Sequence, residues 1–300
     1  MEEQKKKIKT EYQHISTYQK YIKEFSMRKM DFIVERTTYS RVIKTENRKI
    51  LFNNQGRRDD KMLYLLNKTR QDAKMFMESV SLMENSDEYL NISNVDFFQL
   101  YEIPKDKTGI VKVDLKSAYW KYALKLGIIQ ADTDEKFHKI YEGRNTKDAK
   151  EARLKALGSL ATTKTMLPYI KGKPDYEKED SKTEETKALY MLICKGVDDL
   201  MKECQKKVDG VIYYYWDCIF IKEKFSQQAI DFFKEQDYTV NVDFDEIRYR
   251  EVAGNHYIIS VKNDKCYMVR KEDNKIVEME QSGTKIFGED YNHFYNPYFK

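Results

Sequence analysis

Two apolar, strand-like segments of this chain each contain a single aspartate. Residues 110–120 read IVKVDLKSAYW, and residues 211–221 read VIYYYWDCIFI. A carboxylate inside such a run is costly unless a cation or a hydrogen-bond donor compensates it. If the two strands lie side by side, Asp114 and Asp217 can hold a divalent cation between them. That is the layout of a metal-dependent phosphoryl-transfer site.

The composition predicts a folded chain with long regular elements. Of the 300 residues, 41% are hydrophobic, which is enough for a substantial core despite 35% charged residues. Only 11 glycines and 4 prolines indicate few tight turns. The order of strand, helices, strand, helix and strands predicts an α+β fold, with a largely antiparallel sheet and helices on one face.

Local patterns place the elements and one soft boundary. Residues 1–95 are predicted to form a helix, a hairpin and a second helix, with no role assigned. Residues 96–300 are predicted to form one domain with a helical insert at about 134–170. Helices are predicted at 1–29, 58–84, 117–127, 134–142, 146–160, 185–206 and 225–236; strands at 31–54 (a pair), 109–115, 211–221, 238–250 and 256–270; and a loop at 172–184.

Charge and cysteine usage narrow the class of protein. The net charge of +4 is too small to identify a nucleic-acid binder. Residues 144–173, however, hold eight Lys and Arg against two acidic residues. The four cysteines form no CxxC pair and, with four scattered histidines, predict no zinc site and a reducing compartment. No long apolar run and no signal peptide are present, so a cytoplasmic protein without a membrane partner is expected, in the host cytoplasm if the source is viral.

The first segment resembles a motif of a known enzyme family. Residues 114–119, DLKSAY, are similar to the first palm motif of family B DNA polymerases, D-x-x-S-x-Y. The resemblance implies that Asp114 binds the catalytic metals and that the region of Ser117 faces a bound triphosphate. It also implies that Tyr119 packs under the sugar.

The second segment is similar to the Y-x-D-T-D-S hairpin of the same family. In that alignment Tyr213 takes the place of the tyrosine and Asp217 that of the second aspartate. Tyr215 replaces the first aspartate, Trp216 the threonine and Cys218 the serine. The resemblance implies that Asp217 is the second metal ligand and that Tyr213 contacts DNA.

A basic helical segment lies between the two motifs. Residues 156–165, ALGSLATTKT, occupy the place of the family's fingers helix, K-x-x-x-N-S-x-Y-G, and Gly158-Ser159 stand for its Asn-Ser. A triphosphate requires cations on a helix that faces the carboxylates. The candidates for nucleotide binding are Ser159, Lys147, Lys150, Arg153 and Lys155.

A third likeness lies near the end of the region that resembles the family, residues 105–270. Residues 255–257 begin a strand where family members often hold the primer-template with a Lys-x-Tyr element, which implies DNA contacts by His256, Tyr257 and Lys262. The resemblance as a whole implies a polymerase palm with a short, helical fingers-like insert. It implies Mg²⁺- or Mn²⁺-dependent nucleotidyl transfer to a DNA 3′-hydroxyl. Its partners would be a DNA primer-template, dNTPs and other replication proteins.

Three other functions fit some of the same residues. An inactive palm that binds DNA or proteins agrees with Tyr215 and Trp216 at two motif positions. A metal-dependent nuclease would use Asp114 and Lys116 as a D-x-K strand. The earlier acid of that nuclease would be Asp96 or Asp106, and a nucleotidyltransferase or glycosyltransferase of another kind would use the D-x-D pair of Asp243 and Asp245.

Structural explanations of the same residues also stay open. Asp114 can cap the helix that begins at Ser117, and Asp217 can sit in a hairpin turn. Tyr213 and Tyr215 fit a core role, and so do both tryptophans. The basic run 144–173 fits a solvated helix and loop.

Overall fold

The structure is a computed structural model that describes residues 9–37, 40–82, 91–92, 95–105, 107–142, 146–252, 255–262, 265–270 and 276–282. It has an α+β fold, as the sequence predicts, with two sheets that are mostly antiparallel. The α-helices of these ranges are α1 (Tyr18–Met27), α2 (Asp60–Ser81), α3 (Ala118–Lys125), α4 (Ala131–Tyr141), α5 (Thr146–Gly158), α6 (Lys187–Lys207) and α7 (Ser226–Glu235).

The strands follow in chain order. They are β1 (Lys9–His14), β2 (Phe32–Arg36), β3 (Arg41–Lys44), β4 (Arg48–Asn53), β5 (Phe98–Leu100), β6 (Thr108–Leu115), β7 (Thr163–Ile170), β8 (Lys173–Pro174), β9 (Asp180–Thr183), β10 (Val211–Tyr215), β11 (Cys218–Lys222), β12 (Val240–Val252), β13 (Asn255–Ser260), β14 (Lys265–Arg270) and β15 (Ile276–Ser282).

The chain divides into two compact units. The first comprises residues 1–91 and 123–192, and the second comprises residues 92–122 and 193–300. The segment at 134–170, placed by sequence in the same domain as the two motifs, therefore groups with the N-terminal region. All of β6, β10 and β11 belongs to the second unit.

The sheet of the first unit has the order β1-β4-β3-β2-β7-β8, and β9 also pairs with β7. Aromatic side chains of α1 pack on this sheet, with the rings of Tyr18 and Phe52 5.3 Å apart and those of Phe25 and Phe32 5.6 Å apart. These rings belong to a buried apolar cluster that both elements share. The hydrophobic effect of that burial holds helix and sheet together.

Two predictions for the first unit are wrong. The helix expected over 1–29 begins only at Tyr18 among the described residues, because 9–14 form β1, which pairs in parallel with β4. The insert expected to be helical contains β7, which pairs with β2, and the loop expected at 172–184 contains β8 and β9. In both places, pairing with a strand elsewhere in the chain overrides the helical spacing of the local sequence. Pro168 made β7 harder to predict, because proline is uncommon inside strands.

A buried carboxylate joins two helices of the first unit. The Asp72 side chain on α2 is fully buried and accepts hydrogen bonds from the Gln130 amide (3.1 Å) and the Thr133 hydroxyl (2.5 Å). Gln130 is the N-cap residue of α4 and makes no side-chain cap of its own. Asp72 therefore caps α4 from a neighbouring helix, and Lys68, 3.3 Å away, balances its charge.

The sheet of the second unit has eight strands in the order β15-β14-β13-β12-β6-β11-β10-β5 and curls into a half-barrel. One face packs against α6 and α7, with Val113 and Ile219 of the sheet in the same buried cluster as Val197 and Phe233 of the helices. On the other face, aromatic side chains close the curl around Tyr267. Its ring lies 5.9 Å from Tyr213, 6.2 Å from Phe98 and 5.1 Å from Tyr215.

Two further expectations from the sequence concern the cysteines and the membrane-spanning segments of the described residues. All four cysteines are buried, and burial raises the pKa of the Cys204 thiol to about 12. Such a thiol stays protonated and unreactive at neutral pH. None of the helices in the described ranges has both the length and the apolar character needed to cross a membrane.

We expect Asp72→Ala to lower the free energy of unfolding by about 3 kcal/mol, because one buried and one part-buried donor lose their acceptor. Urea unfolding followed by circular dichroism measures the change. Glu78→Ala removes an exposed carboxylate from the same helix and is the matched control. A loss for Asp72→Ala no larger than that of the control contradicts the assigned capping role.

We expect the first unit to lose stability at acidic pH because of Glu35. Its side chain is buried between Lys44 and Lys164. Burial alone would raise the pKa of Glu35, but the hydrogen bonds from the two lysines outweigh it and hold the pKa below the usual 4.5. The stabilisation is therefore complete above about pH 4.5 and is lost as the pH falls through the folded-state pKa.

We expect Glu35→Gln to destabilise the protein at neutral pH and to make its stability less dependent on pH below about 4.5. Urea unfolding at neutral pH and at about pH 3 gives both quantities. Glu46→Gln, at an exposed position between β3 and β4, should leave the pH dependence unchanged. An equal flattening in both variants would show that Glu35 is not the source.

Candidate functional site

The two aspartate-bearing segments form neighbouring strands, as the sequence predicts. Strands β6 and β11 pair antiparallel, with Asp114 opposite Cys218. Asp217 precedes Cys218 in the two-residue turn between β10 and β11, and its carbonyl oxygen accepts a hydrogen bond from the Leu115 amide at 3.0 Å. Asp217 therefore lies in a hairpin turn and is also beside Asp114, so the two explanations are compatible.

Four polar side chains around this pairing make up what we call the carboxylate site: Asp114, Asp217, Lys112 and Asn241. Asn241 lies opposite Asp114 on β12, and its Nδ2 lies 3.5 Å from Asp114 Oδ2. The Nζ of Lys112 lies 3.6 Å from Asp114 Oδ1. The Asp114 side chain is 30% exposed and that of Lys112 is 31% exposed, so solvent and solutes reach both groups.

Several charged and acidic groups of the site affect the pKa of Lys112. Burial alone would lower the pKa of Lys112. The acidic groups around it, Cys218, Asp114 and Asp217, outweigh burial and raise the pKa above its usual value. Lys112 is therefore a cation within the field of both carboxylates, and it supplies the compensation that an aspartate in a strand requires.

The donor set fits one way in which proteins bind magnesium. No group of three or more His, Cys, Asp or Glu side chains is arranged for a metal ion in the described part of the chain. Mg²⁺ at phosphoryl-transfer sites needs only one or two carboxylates, because water and substrate phosphates complete its shell. Asp114 and Asp217 are the two carboxylate residues at this pairing, and Tyr215 rather than a third carboxylate ends β10.

A strained aromatic turn holds Asp217 in place. Trp216 has a φ of 56°, a left-handed conformation that is uncommon for so bulky a residue. Its amide donates to the Phe97 carbonyl at 2.7 Å, and the two rings lie 4.3 Å apart. Tyr119 approaches the same indole edge-on at 6.5 Å. These contacts stabilise a turn that glycine would adopt more easily.

A second strained position begins α3. Ser117 has a φ of 57°, and its carbonyl accepts the Lys121 amide at 2.9 Å, so α3 starts directly after the strand that carries Asp114. Asp114 itself contacts Lys112 and Asn241 rather than the first turn of the helix. The structure thus argues against a capping role for Asp114. Ser117 and Tyr119 lie in the same unit as the carboxylate site.

The proposed fingers residues lie in the first unit, mainly on α5. Lys147 and Lys150 are exposed, and Lys155 pairs with Glu151. The Arg153 guanidinium lies over the Phe137 ring, 5.0 Å from its centre, and burial lowers the pKa of Arg153.

Ser159 does not fit a nucleotide-binding role. The Ser159 side chain is buried, and its hydroxyl donates to the Ala156 carbonyl at 2.7 Å. A hydroxyl buried and bonded in this way is not available to a nucleotide. The predicted contact is therefore wrong.

Two of the predicted DNA contacts are also wrong. Tyr213 is fully buried and stacks on Phe220 with ring centres 4.1 Å apart, so it belongs to the core. His256 is buried and shares a hydrogen bond of 2.7 Å with the Tyr249 hydroxyl. The strand period explains the error for His256, because its neighbour Tyr257 points to the other face and is half-buried.

Lys262 remains exposed, but it is engaged by the D-x-D pair. Its ammonium bonds Asp243, and its amide donates to Asp245 at 2.8 Å. Asp245 also accepts from the Ser260 hydroxyl. The two aspartates therefore already serve as acceptors between β12 and the end of β13, which argues against a metal pair at this position.

Sequence reasoning missed a network behind the hairpin. The Tyr214 hydroxyl donates to the buried carboxylate of Asp198 on α6. Lys202 bonds Asp198 at 2.7 Å and Asp96 at 2.6 Å. This network anchors β10 to α6, and it occupies the Asp96 that a nuclease would require. The alternative acid, Asp106, lies outside the described residues.

We expect Tyr214→Phe to lower the free energy of unfolding by about 1–2 kcal/mol, because Asp198 stays buried with one donor fewer. Urea unfolding measures the loss. Tyr101→Phe is the matched control, because the Tyr101 hydroxyl is buried near Tyr214 without a hydrogen-bond partner. Equal losses in the two variants would contradict an anchoring role for the Tyr214–Asp198 bond.

Comparison with known proteins gives no relative to reason from. No protein-family model, no curated protein and no solved structure matches this chain.

Proposed function

We propose that this protein transfers nucleotides to a DNA 3′-hydroxyl with Mg²⁺ or Mn²⁺ as its cofactor, in the manner of a reduced family B DNA polymerase. One observation carries the proposal. The pairing of β6 with β11 sets the aspartates of two separate motifs at adjacent positions of one sheet, with Asp114 open to solvent. Stability alone gives no reason for such an arrangement, since it costs desolvation and requires Lys112 as compensation.

The chemistry asks little of the protein beyond position and charge. When bound, the metal would neutralise phosphate charge and activate the attacking hydroxyl. Asp114 and Asp217 would hold it. The first amides of α3, after Ser117, would donate hydrogen bonds to phosphate oxygens, and the half-buried ring of Tyr119 would support the sugar.

The other parts of the proposal follow the same logic. Lys147 and Lys150, both exposed on α5, are the proposed contacts to a triphosphate or DNA. Tyr257 and Lys262 are the remaining candidates for DNA contact. A primer-template, dNTPs and other replication proteins would be the partners, in the cytoplasm or the host cytoplasm.

An inactive palm that binds DNA is the second candidate. Two observations favour it: Tyr215 stands where the family has a metal ligand, and Lys112 lies against Asp114 where a cation would bind. A nuclease is less well supported. Lys116 is exposed and available, but Asp96 is bonded to Lys202.

Primer extension tests the proposal. We expect extension with Mg²⁺ or Mn²⁺ and dNTPs, and a loss of about a hundredfold or more in Asp114→Asn and Asp217→Asn, since even outer-shell changes at metal sites cost 10–100-fold. Asp231→Asn, exposed on α7, is the control. Thermal unfolding verifies that each variant is folded.

Three outcomes would contradict the proposal. Extension unaffected by both substitutions excludes the carboxylate site. Absence of extension combined with salt-sensitive DNA binding leaves the inactive palm. Degradation of DNA without dNTPs that is lost in Lys116→Ala and kept in Asp217→Asn identifies a nuclease.

A further inference from the structure

Charges alternate on the face of the second sheet that is opposite α6 and α7. Asp114 and Lys112 are two residues apart on β6 and therefore project from the same face. Lys112 lies directly opposite Asp243 on β12, so these two side chains also share that face. Asp243 in turn bonds Lys262. Lys112 thus stands between two carboxylates, one of the carboxylate site and one outside it.

The contact between Lys112 and Asp114 is loose. Its length of 3.6 Å exceeds that of a hydrogen bond, and about a third of each side chain is exposed. An ion pair of this kind contributes little to stability and is easily exchanged for another partner. Lys112 contrasts with Lys222 of the neighbouring strand, whose ammonium lies 2.6 Å from a Glu102 oxygen and 2.7 Å from the other.

The second carboxylate lies within reach of the same lysine. Residues directly opposite each other in antiparallel strands have Cβ atoms about 5 Å apart, which is less than the length of a lysine side chain. Asp243 is exposed, and Lys262, which holds it, is exposed as well. Rotation of the Lys112 side chain can therefore carry its ammonium from Asp114 to Asp243 without a change in the backbone.

We propose that Lys112 is a built-in counter-ion of the carboxylate site, which a divalent cation displaces from Asp114 towards Asp243. This inference rests on the metal site of the proposed function and goes beyond it, because it assigns Lys112 a positioning role. Without metal, Lys112 compensates the charge of the carboxylates. When a metal ion binds, the Lys112 ammonium leaves Asp114 and pairs with Asp243.

Two substitutions of opposite effect follow. Lys112→Met removes the competitor, so the affinity for Mn²⁺ should rise by about tenfold, which corresponds to about 1.4 kcal/mol. Asp243→Asn removes the alternative partner, so Lys112 stays on Asp114 and the affinity for Mn²⁺ should fall. Lys222→Met removes a paired lysine of similar exposure, 34% against 31%, from the same sheet and should leave the affinity unchanged.

Isothermal titration of the 300-residue chain with MnCl₂ measures these affinities. Quenching of tryptophan fluorescence by the paramagnetic ion is a second readout, because Trp216 adjoins Asp217 whereas Trp120 is buried. Asp114→Asn and Asp217→Asn should abolish both signals, which assigns them to the carboxylate site. Lys112→Gln repeats the test with a polar side chain if Lys112→Met does not fold.

The outcomes separate the inference from the function on which it rests. Binding to the wild type with no gain in Lys112→Met or Lys112→Gln overturns the counter-ion role and leaves the proposed function standing. A gain in Lys222→Met equal to that in Lys112→Met also overturns it, because general charge would then explain the effect. No binding to the wild type or to either Lys112 variant overturns both.

Discussion

The antiparallel pairing of β6 with β11 is the interaction on which the rest of the second unit depends. It places Asp114 opposite Cys218 and lets the Asp217 carbonyl accept the Leu115 amide. Two strands that are distant in the chain thus become one short stretch of sheet. The apolar residues of that stretch are buried against α6 and α7, and its polar residues gather on the opposite face.

Tyrosines and other aromatic residues make that stretch rigid. Tyr213 and Tyr267 fill the inside of the half-barrel, while Tyr214 anchors β10 to α6 through Asp198. Trp216 adopts a strained turn because Phe97 holds its ring and its amide. These aromatic residues therefore pack around the stretch of sheet that bears the two aspartates.

The sequence predicted the type and order of the elements wherever the spacing of apolar residues within a segment was sufficient to define the element. The spacing of apolar residues predicted α2, α3, α6 and α7 close to their observed bounds, with Gly127 at a positive φ just past the end of α3. It failed for β1 and β7, whose strand conformation depends on partners elsewhere in the chain. The family resemblance also implied a DNA contact by His256, because a sequence does not say which face of a strand is covered.

The sequence by itself determined the α+β class, the strands at the two aspartate-bearing segments and the basic character of α5. These follow from the spacing of apolar and charged residues within each segment, which does not depend on what the segment packs against. Only the tertiary structure decided that Asp114 meets Lys112, that Asp243 lies across from that lysine, and that Ser159 and Tyr213 are buried. Each of these depends on strand register and on which face of an element is covered, and both are set by contacts between residues far apart in the chain.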